Sequence, residues 1–278
     1  MRKLRIVSDS SSDILELENV DFAYAPMKII TAEREFVDDI NLDVDEMTNF
    51  FSRYKERSQT SCPNTSDWLD AFGNADDVIC VTITSSLSGS YNSACLAKQI
   101  YEEENEGKRV FVLDTLSAGP EMTLILNKLE EYAKEGLEYE TICEKIKAYL
   151  KQTGLVFMLK SLNNFAANGR VSPLVAKIAG FAGICIVGKA SDEGTLDPSH
   201  KCRGEEKSLN TLLADLERYG LKSGKVSIGH SQNEEAAEHL KVMIKEKFNK
   251  VQVEIHKLRG LCSFYAEKGG LLVGFEKN

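Results

Sequence analysis

The stretch Asp77–Ala94 constrains the fold of this chain more than any other part of the sequence. It opens with the apolar run Val78–Ile83, which is rich in β-branched residues and typical of a strand buried on both faces. Polar residues follow at once, and the sequence then predicts a helix from Ser88 to about Glu103, capped by Ser88 or Ser86. We therefore expect a strand, a polar corner and a helix.

The polar corner carries more hydroxyl groups than a helix cap needs, because one side chain satisfies at most one or two of the free amides at a helix start. Four hydroxyl side chains fall within five residues: Thr84, Ser85, Ser86 and Ser88. Gly89 lets another group approach the backbone closely, and the amides at a helix start favour a negative charge. The corner is a candidate anion site; a capped helix with solvated serines is the alternative.

Units of strand, polar loop and helix recur in the first half of the chain, where further strands are expected at Leu4–Ser8, Phe22–Ile30 and Val110–Leu113. This pattern indicates a parallel sheet, in which ligands bind at the carboxyl ends of the strands. The second half mixes strands, hairpins and helices. The predicted fold class is α/β, with an N-terminal three-layer parallel-sheet domain (residues 1–153) followed by an α+β domain (residues 154–278).

Composition and motifs argue against several function classes. The formal net charge of -9 disfavours nucleic acid and anionic membranes as partners, since both require clustered Lys and Arg. The chain has no nucleotide-binding glycine loop, no H-E-x-x-H motif and no G-x-S-x-G elbow. Seven cysteines without a C-x-x-C pair indicate neither a zinc site nor a disulfide framework.

The sequence also predicts where the protein works. The longest apolar stretch, Leu174–Val187, is too short to span a membrane and contains Lys177. No secretory signal peptide is recognised after Met1. We therefore expect a cytoplasmic protein without stable membrane insertion, and with no metal or other cofactor.

Two more polar loops are candidates for a site. Ser8–Asp13 follows the first strand and favours a structural turn, with metal ligation by its carboxylates as the alternative. Thr60–Pro63 offers two hydroxyls and the thiol of Cys62; taken alone it favours a simple turn, with a ligand site as the alternative. No basic residue adjacent in sequence lowers the pKa of that thiol.

These pieces, taken in order, resemble the DegV family of bacterial proteins over nearly the whole chain. Thr60–Pro63 is similar to the family's Thr-Ser-Gln-Pro, and Asn168–Ser172 to its Gly-Gly-Arg-Ile-Ser. Thr84–Ala94 is similar to its Ser-Ser-x-Leu-Ser-Gly-Thr-Tyr. The other matching pieces are Ser8–Asp13, Asp114–Thr115 and Lys201–Lys207.

The resemblance implies a protein that binds one long-chain fatty acid. The carboxyl group would lie in the serine and threonine loops, and the acyl chain in an apolar tunnel between two domains. We expect the oily Leu174–Val187 segment to supply tunnel wall. The ligand-binding residues implied are Thr60, Ser61, Ser85, Ser86, Ser88, Gly89, Arg170 and Tyr265, with Ser61 and Ser88 the most direct partners of the carboxyl group.

The resemblance also implies a partner. Several family members carry the fatty acid for a separate kinase subunit, which phosphorylates the bound carboxylate, so the chain itself would have no catalytic residue. Arg203 would face that kinase. One departure bears on this partnership: Tyr265 and Lys268 stand where the family commonly has a histidine and a proline, and tyrosine is not positively charged near pH 7.

Two alternatives remain open from the residues themselves. The chain could be a small-molecule enzyme that acts on a carboxylated or phosphorylated metabolite with Arg170, Arg203 and His230. It could also be a regulatory binding protein that has kept the fold and lost the kinase, which the tyrosine at position 265 motivates.

Overall fold

The computed structural model of this chain describes residues 2–54, 56–172 and 183–278. Its strands are β1 Leu4–Asp9, β2 Asp21–Ala25, β3 Lys28–Ile30, β4 Glu35–Val37, β5 Gln59–Ser61, β6 Asp77–Thr82, β7 Arg109–Asp114, β8 Thr153–Leu159, β9 Ile184–Ala190, β10 Leu196–Arg203, β11 Gly224–His230, β12 Val251–Lys257 and β13 Leu271–Glu276. Its helices are α1 Val44–Arg53, α2 Thr65–Phe72, α3 Ser90–Glu104, α4 Pro120–Lys134, α5 Tyr139–Leu150, α6 Asn163–Ala167, α7 Glu205–Arg218, α8 Glu234–Lys247 and α9 Gly260–Ala266. None of the helices described is long and apolar enough to cross a membrane.

The first half of the chain forms a parallel four-stranded sheet in the order β2-β1-β6-β7. Every residue of β6 is buried, because both faces of this central strand are covered by helices. Ile79 and Val81 pack with α4 and α5, while Val78 and Cys80 pack with α2 and α3. The predicted α/β class, with its parallel sheet between two helical layers, is confirmed.

The second half contributes a mixed six-stranded sheet in the order β10-β9-β8-β13-β11-β12. Only β11 and β12 pair in parallel within it. Val156 and Met158 of β8 pack beneath α7 and α8. Leu155, Phe157 and Leu159 alternate with them and therefore point to the opposite face, towards the first half of the chain.

Helix α4 connects the two sheets. Its residues Ile125 and Leu126 pack in the core of the parallel sheet, while its first turn lies against β13. A Cβ on Gly274 would lie 2.5 Å from the backbone of Pro120 and Glu121, so a side chain there would push the helix away. We propose the division into residues 1–153 and 154–278 as two domains, with α4 of the first packed against β13 of the second.

Two local expectations are wrong. The strand predicted over Phe22–Ile30 is two strands: β2 in the parallel sheet, and β3 in a small antiparallel sheet of order β4-β3-β5. Pro26 separates them, because it has no amide hydrogen to donate to a ladder. Helix α3 begins at Ser90, two residues later than expected, and its N-cap residue is Gly89. The Ser88 hydroxyl accepts a 3.3 Å hydrogen bond from the amide of Ser90, the first helical residue. The Ser86 hydroxyl is bonded to the carbonyl of Glu193 instead and does not cap the helix.

The Ser8–Asp13 loop forms a short 3-10 turn around the fully buried carboxylate of Asp9. One of its oxygens accepts hydrogen bonds from the amide and hydroxyl of Ser11. The other accepts from the amide of Ile83 at 2.9 Å and the hydroxyl of Ser90 at 2.6 Å. Burial nevertheless raises the pKa of Asp9. This carboxylate ties the end of β1 to the loop that follows β6 and to the start of α3.

A second buried carboxylate, that of Asp38, holds the start of α9. It is fully buried and accepts hydrogen bonds of 2.9 Å from the amides of Gly260 and Leu261. Burial and the neighbouring carboxylate of Asp13 raise its pKa to about 6, although the hydrogen bond from the Leu261 amide and the charge of Arg259 oppose the shift. The first half of the chain thereby fixes a helix that belongs to the second half.

The pKa of Asp38 predicts how stability depends on pH. The folded pKa of about 6 lies above the unfolded value of about 4. The folded state therefore holds the proton more tightly between these values, and the free energy of unfolding contributed by this group falls as the pH rises through the window. In Asp38→Asn this group no longer titrates. The variant should also be less stable at every pH, because the asparagine NH2 group is a donor and would face a backbone N–H that the carboxylate accepted from.

Urea unfolding between about pH 4 and pH 7 measures the effect. We expect the wild-type free energy of unfolding to fall relative to that of Asp38→Asn, by at most about 1.4 kcal/mol per pH unit. Parallel curves for the two proteins would contradict the assignment.

Candidate functional site

A cavity of about 300 Å³ lies between the two sheets. Leu155, Phe157 and Leu159 of β8 line it together with Leu272 of β13, which is the partner of Phe157 across the antiparallel pair. Residues of the parallel-sheet half, among them Ile83, complete the apolar wall. The residues on β8 span about 13 Å at the usual rise per strand residue, so the wall is long enough to contact an extended chain of many carbons.

A polar cluster interrupts this apolar lining. Thr60 and Ser61 lie on β5, which pairs with β3, and both line the cavity. The hydroxyl of Tyr265, on α9, lies 2.8 Å from the hydroxyl of Thr60. The Tyr265 ring also packs on Phe165, with 4.6 Å between ring centroids. Burial raises the pKa of Tyr265, so its hydroxyl is neutral and can donate a hydrogen bond across the physiological pH range.

Arg170 brings a positive charge to the same cavity. Among the described residues that line it, no other carries a charged side chain. Its Nε donates a hydrogen bond of 3.0 Å to the carbonyl of Leu87, and its Nη1 donates to the carbonyl of Asn168. The guanidinium is therefore held against the serine loop by backbone carbonyls, which orient it without neutralising its charge.

The hydroxyls of the corner after β6 have different tasks. Ser88 lines the cavity, and its hydroxyl accepts a 3.3 Å bond from the amide of Ser90. Thr84 also lines it, but its hydroxyl donates to the carbonyl of Gly194 at 2.9 Å. The Ser86 hydroxyl donates to the carbonyl of Glu193 at 2.5 Å. Two hydroxyls thus dock the turn between β9 and β10.

The structure brings together six of the eight residues expected to bind a ligand: Thr60, Ser61, Ser88, Gly89, Arg170 and Tyr265. It does not bring Ser85 and Ser86 to the cavity, because both are exposed and the Ser86 hydroxyl faces the β9–β10 turn. Gly89 is itself exposed, and a Cβ there would lie 3.3 Å from the sulfur of Cys62.

Several expected residues lie elsewhere. Arg203 ends β10, is exposed and does not line the cavity. His230 ends β11 and is likewise absent from the lining; burial lowers its pKa. Of the Leu174–Val187 segment expected to form tunnel wall, residues 174–182 lie outside the described residues. Its described residues up to Val187 do not line the cavity, whereas Ala190 of the same strand does.

Sequence reasoning missed some of the lining. Ser117 lines the cavity with a buried hydroxyl, and its carbonyl accepts a 2.9 Å bond from the amide of Thr84. Its position in the sequence could have indicated this, because Ser117 follows β7 and therefore lies at the same edge of the parallel sheet as the serine corner that follows β6. Phe157 and Leu159 gave no alternating pattern, because β8 is buried on both faces.

Comparison with known proteins assigns the chain to a family. The family model named DegV, described as uncharacterised proteins, matches residues 3–278. A DegV domain-containing protein of Streptococcus pneumoniae is 40% identical over 276 residues, which is 98% of each chain. This chain belongs to the DegV family.

Solved structures of DegV relatives share this fold. A DegV family protein from Eubacterium eligens, loaded with heptadecanoic acid, has a TM-score of 0.96 and 43% identity, and the match covers 99% of this chain and 100% of that one. The fatty acid kinase (Fak) B3 protein of Streptococcus pneumoniae, loaded with linoleic acid, has a TM-score of 0.97 and 39% identity over 99% and 100% of the two chains. The architecture of one parallel sheet, one mixed sheet and one small antiparallel sheet is thus that of the DegV family.

The position of Cys62 predicts its reactivity. The thiol lines the cavity and is half-buried, and burial raises its pKa above the ordinary value. The reactive thiolate is therefore scarce in the folded protein. We expect iodoacetamide to alkylate Cys62 severalfold more slowly in native protein than in protein unfolded in urea at the same pH.

Peptide mass spectrometry after timed alkylation measures this rate, and a Cys62→Ser variant identifies the peptide. An equal rate in the folded and unfolded protein would place the thiol in open solvent and contradict the cavity lining.

Proposed function

We propose that this chain binds one long-chain fatty acid in the cavity between its two sheets. The observation that carries the proposal is an apolar cavity in which the described lining brings several hydroxyls beside one cation, Arg170. The carboxyl group would bind at Thr60, Ser61, Ser88 and Arg170, with Gly89 and Tyr265 beside it. The relatives from Eubacterium eligens and Streptococcus pneumoniae, both loaded with fatty acids, support this assignment.

The acyl chain would supply most of the binding energy. Transfer of each methylene from water contributes about 0.8 kcal/mol, so a chain of about sixteen carbons contributes on the order of 10 kcal/mol before the costs of association. The polar cluster then has to form hydrogen bonds with the carboxyl oxygens and set how deep in the cavity the carboxyl group lies. Hydroxyl donors and one guanidinium, held in place by the carbonyl of Leu87, are suited to that task.

We propose further that the chain presents this carboxyl group to a separate kinase subunit and does not itself catalyse the phosphorylation. The Fak B3 protein, a fatty acid kinase component by name, supports this role at 39% identity over nearly the full chain. Arg203, exposed at the end of β10, is the residue we assign to the partner-facing surface. The proposal requires no metal or other cofactor.

The proposed setting is the cytoplasm. The seven cysteines are all free thiols, which suits a reducing compartment. No described helix can carry the chain across a bilayer.

The geometry gives less support to a small-molecule enzyme. That alternative requires Arg170, Arg203 and His230 to act on one substrate. Only Arg170 lines the cavity, and no nucleophile with an adjacent base accompanies it among the described lining residues. We therefore favour binding over turnover.

Extraction of the purified protein tests the proposal. We expect mass spectrometry of a denatured sample to show close to one fatty acid per chain, and delipidated protein to take up a long-chain acid. Protein that carries none and takes up none would contradict the proposed function.

Ser88→Ala tests the head-group site. Loss of one hydrogen bond to the carboxyl group should weaken fatty-acid affinity by about fivefold to tenfold, since such a bond contributes about 1 kcal/mol net. Ser85→Ala is the matched control, because Ser85 is exposed outside the cavity. Calorimetric titration measures both affinities, and equal effects would count against the assignment of Ser88.

Tyr265→His tests the charge state of the cluster. Since the pKa of Tyr265 is raised, the wild-type side chain stays neutral. Its titration therefore does not change the affinity for the fatty acid around neutral pH. A histidine with an ordinary pKa of about 6.5 gains a positive charge as the pH falls. Affinity for the carboxylate should then rise below about pH 6.5 in the variant alone.

Affinity measured from about pH 5.5 to pH 8 distinguishes the proteins. Tyr265→Phe serves as the control, because it loses the hydroxyl without gaining a titrating group. Superimposable pH profiles for the wild type and Tyr265→His would show that this position does not face the carboxyl group.

A further inference from the structure

Glu267 has a backbone conformation that residues with a side chain rarely adopt. It is the C-cap residue of α9, with φ 52° and ψ 176°. This region of backbone space is populated almost exclusively by glycine. A similar conformation before α7, with φ 86° and ψ 156°, is taken by Gly204. Glycine would relax the backbone at position 267, so the glutamate there has to be explained by the contacts that its side chain makes.

The Glu267 side chain holds the start of α6. Its Oε1 accepts hydrogen bonds from the hydroxyl of Ser161 at 2.8 Å and from the amide of Asn164 at 3.2 Å. The N-cap residue of α6 is Leu162, which makes no side-chain hydrogen bond to the helix, so Glu267 caps α6 from another element. In the opposite direction, the Asn164 side chain donates to the carbonyl of Phe264 at 2.7 Å. We call these reciprocal bonds the α6–α9 tie.

The two helices that the tie joins both carry groups of the candidate site. Tyr265 lies on α9, and its ring packs on Phe165 of α6 with 4.6 Å between centroids. Arg170 follows α6 closely, and its amide donates a 2.8 Å bond to the carbonyl of Phe165. Arg170 and Tyr265 therefore lie on two segments whose relative position depends on the α6–α9 tie.

The tie itself lies outside the cavity. Glu267 and Asn164 are absent from the described lining of the cavity. They border instead a smaller space of about 190 Å³ between α1 and α9. Arg170 and Tyr265, in contrast, line the cavity. A change at Glu267 therefore reaches a bound molecule only through the groups that the tie places.

We propose that Glu267 is a positioning residue for the carboxyl-binding cluster, because it sets where Arg170 and Tyr265 lie relative to each other. The inference rests on the proposed fatty-acid binding and adds a residue that acts on the ligand from outside the cavity. A guanidinium binds a carboxylate well only over a narrow range of directions, so a small shift of α6 weakens that contact. The apolar wall along β8 does not depend on the tie.

Glu267→Gly separates positioning from stability. It removes the acceptor of both bonds but relaxes the backbone at a positive φ, so the variant should unfold at a temperature no lower than that of Glu267→Ala. Glu267→Gln keeps an oxygen that can accept from Ser161 and Asn164, and it tests rescue by the conservative change. Lys268→Ala is the matched control, since Lys268 is adjacent, exposed and outside the described lining.

Displacement of cis-parinaric acid, a naturally fluorescent fatty acid, measures the affinities of the full chain for tetradecanoic acid and for 1-tetradecanol. The two ligands share their apolar chain, and only the acid brings a negative charge to Arg170. We expect Glu267→Gly to weaken binding of the acid about fivefold, the factor that about one hydrogen bond contributes, and binding of the alcohol less than about twofold. Glu267→Gln and Lys268→Ala should bind the acid within about twofold of the wild type.

Unchanged affinity of Glu267→Gly for the acid would overturn the positioning role. An equal loss for the acid and the alcohol would also overturn it, because Glu267 would then support the cavity as a whole. So would a Glu267→Gln variant that binds the acid as weakly as Glu267→Gly, because the acceptor oxygen would then not be the group that matters. Wild-type protein that binds no long-chain acid would instead remove the proposed function, and the positioning role with it.

Discussion

The buried carboxylate of Asp9 sets the geometry on which the candidate site depends. It accepts four hydrogen bonds, from Ser11, Ile83 and Ser90, and so fastens β1, the corner after β6 and the start of α3 to one point. A carboxylate without a cation beside it is costly to bury, and these donors offset the lost hydration. Because the corner is fixed at both ends, Ser88 and Gly89 between them are presented to the cavity.

The cavity lies between two sheets that both pack against helix α4. Gly274 lets the first turn of α4 lie directly on β13, and Asp38 holds the start of α9 from the opposite half of the chain. These contacts fix the distance between the sheets. The described lining of the space left over is mostly apolar, and most of its hydroxyls lie in the loops that follow β5, β6 and β7 or close to them, which suits a ligand with a long chain and one carboxyl group.

The local strand–corner–helix pattern and the parallel sheet were predictable, because β6 is a continuous β-branched run and polar loops follow each strand. The polar cluster was predictable from the ordered motifs, although spacing alone left capped helices and turns as alternatives. The separate roles of Ser86 and Ser88 could not be predicted from the sequence. Which hydroxyl faces the cavity depends on a hairpin tip 107 residues further along the chain, and no local pattern reports such a contact. Pro26 likewise marks a change of sheet that periodicity alone does not show.

A crystal structure of this chain with a bound long-chain fatty acid tests the central claim most directly. We expect the acyl chain to contact Leu155, Phe157 and Leu159, and a carboxyl oxygen to lie within hydrogen-bonding distance of the Ser88 or Ser61 hydroxyl. A fatty acid bound outside this cavity, or one with its carboxyl group in the apolar region and its methyl end at Arg170, would contradict it.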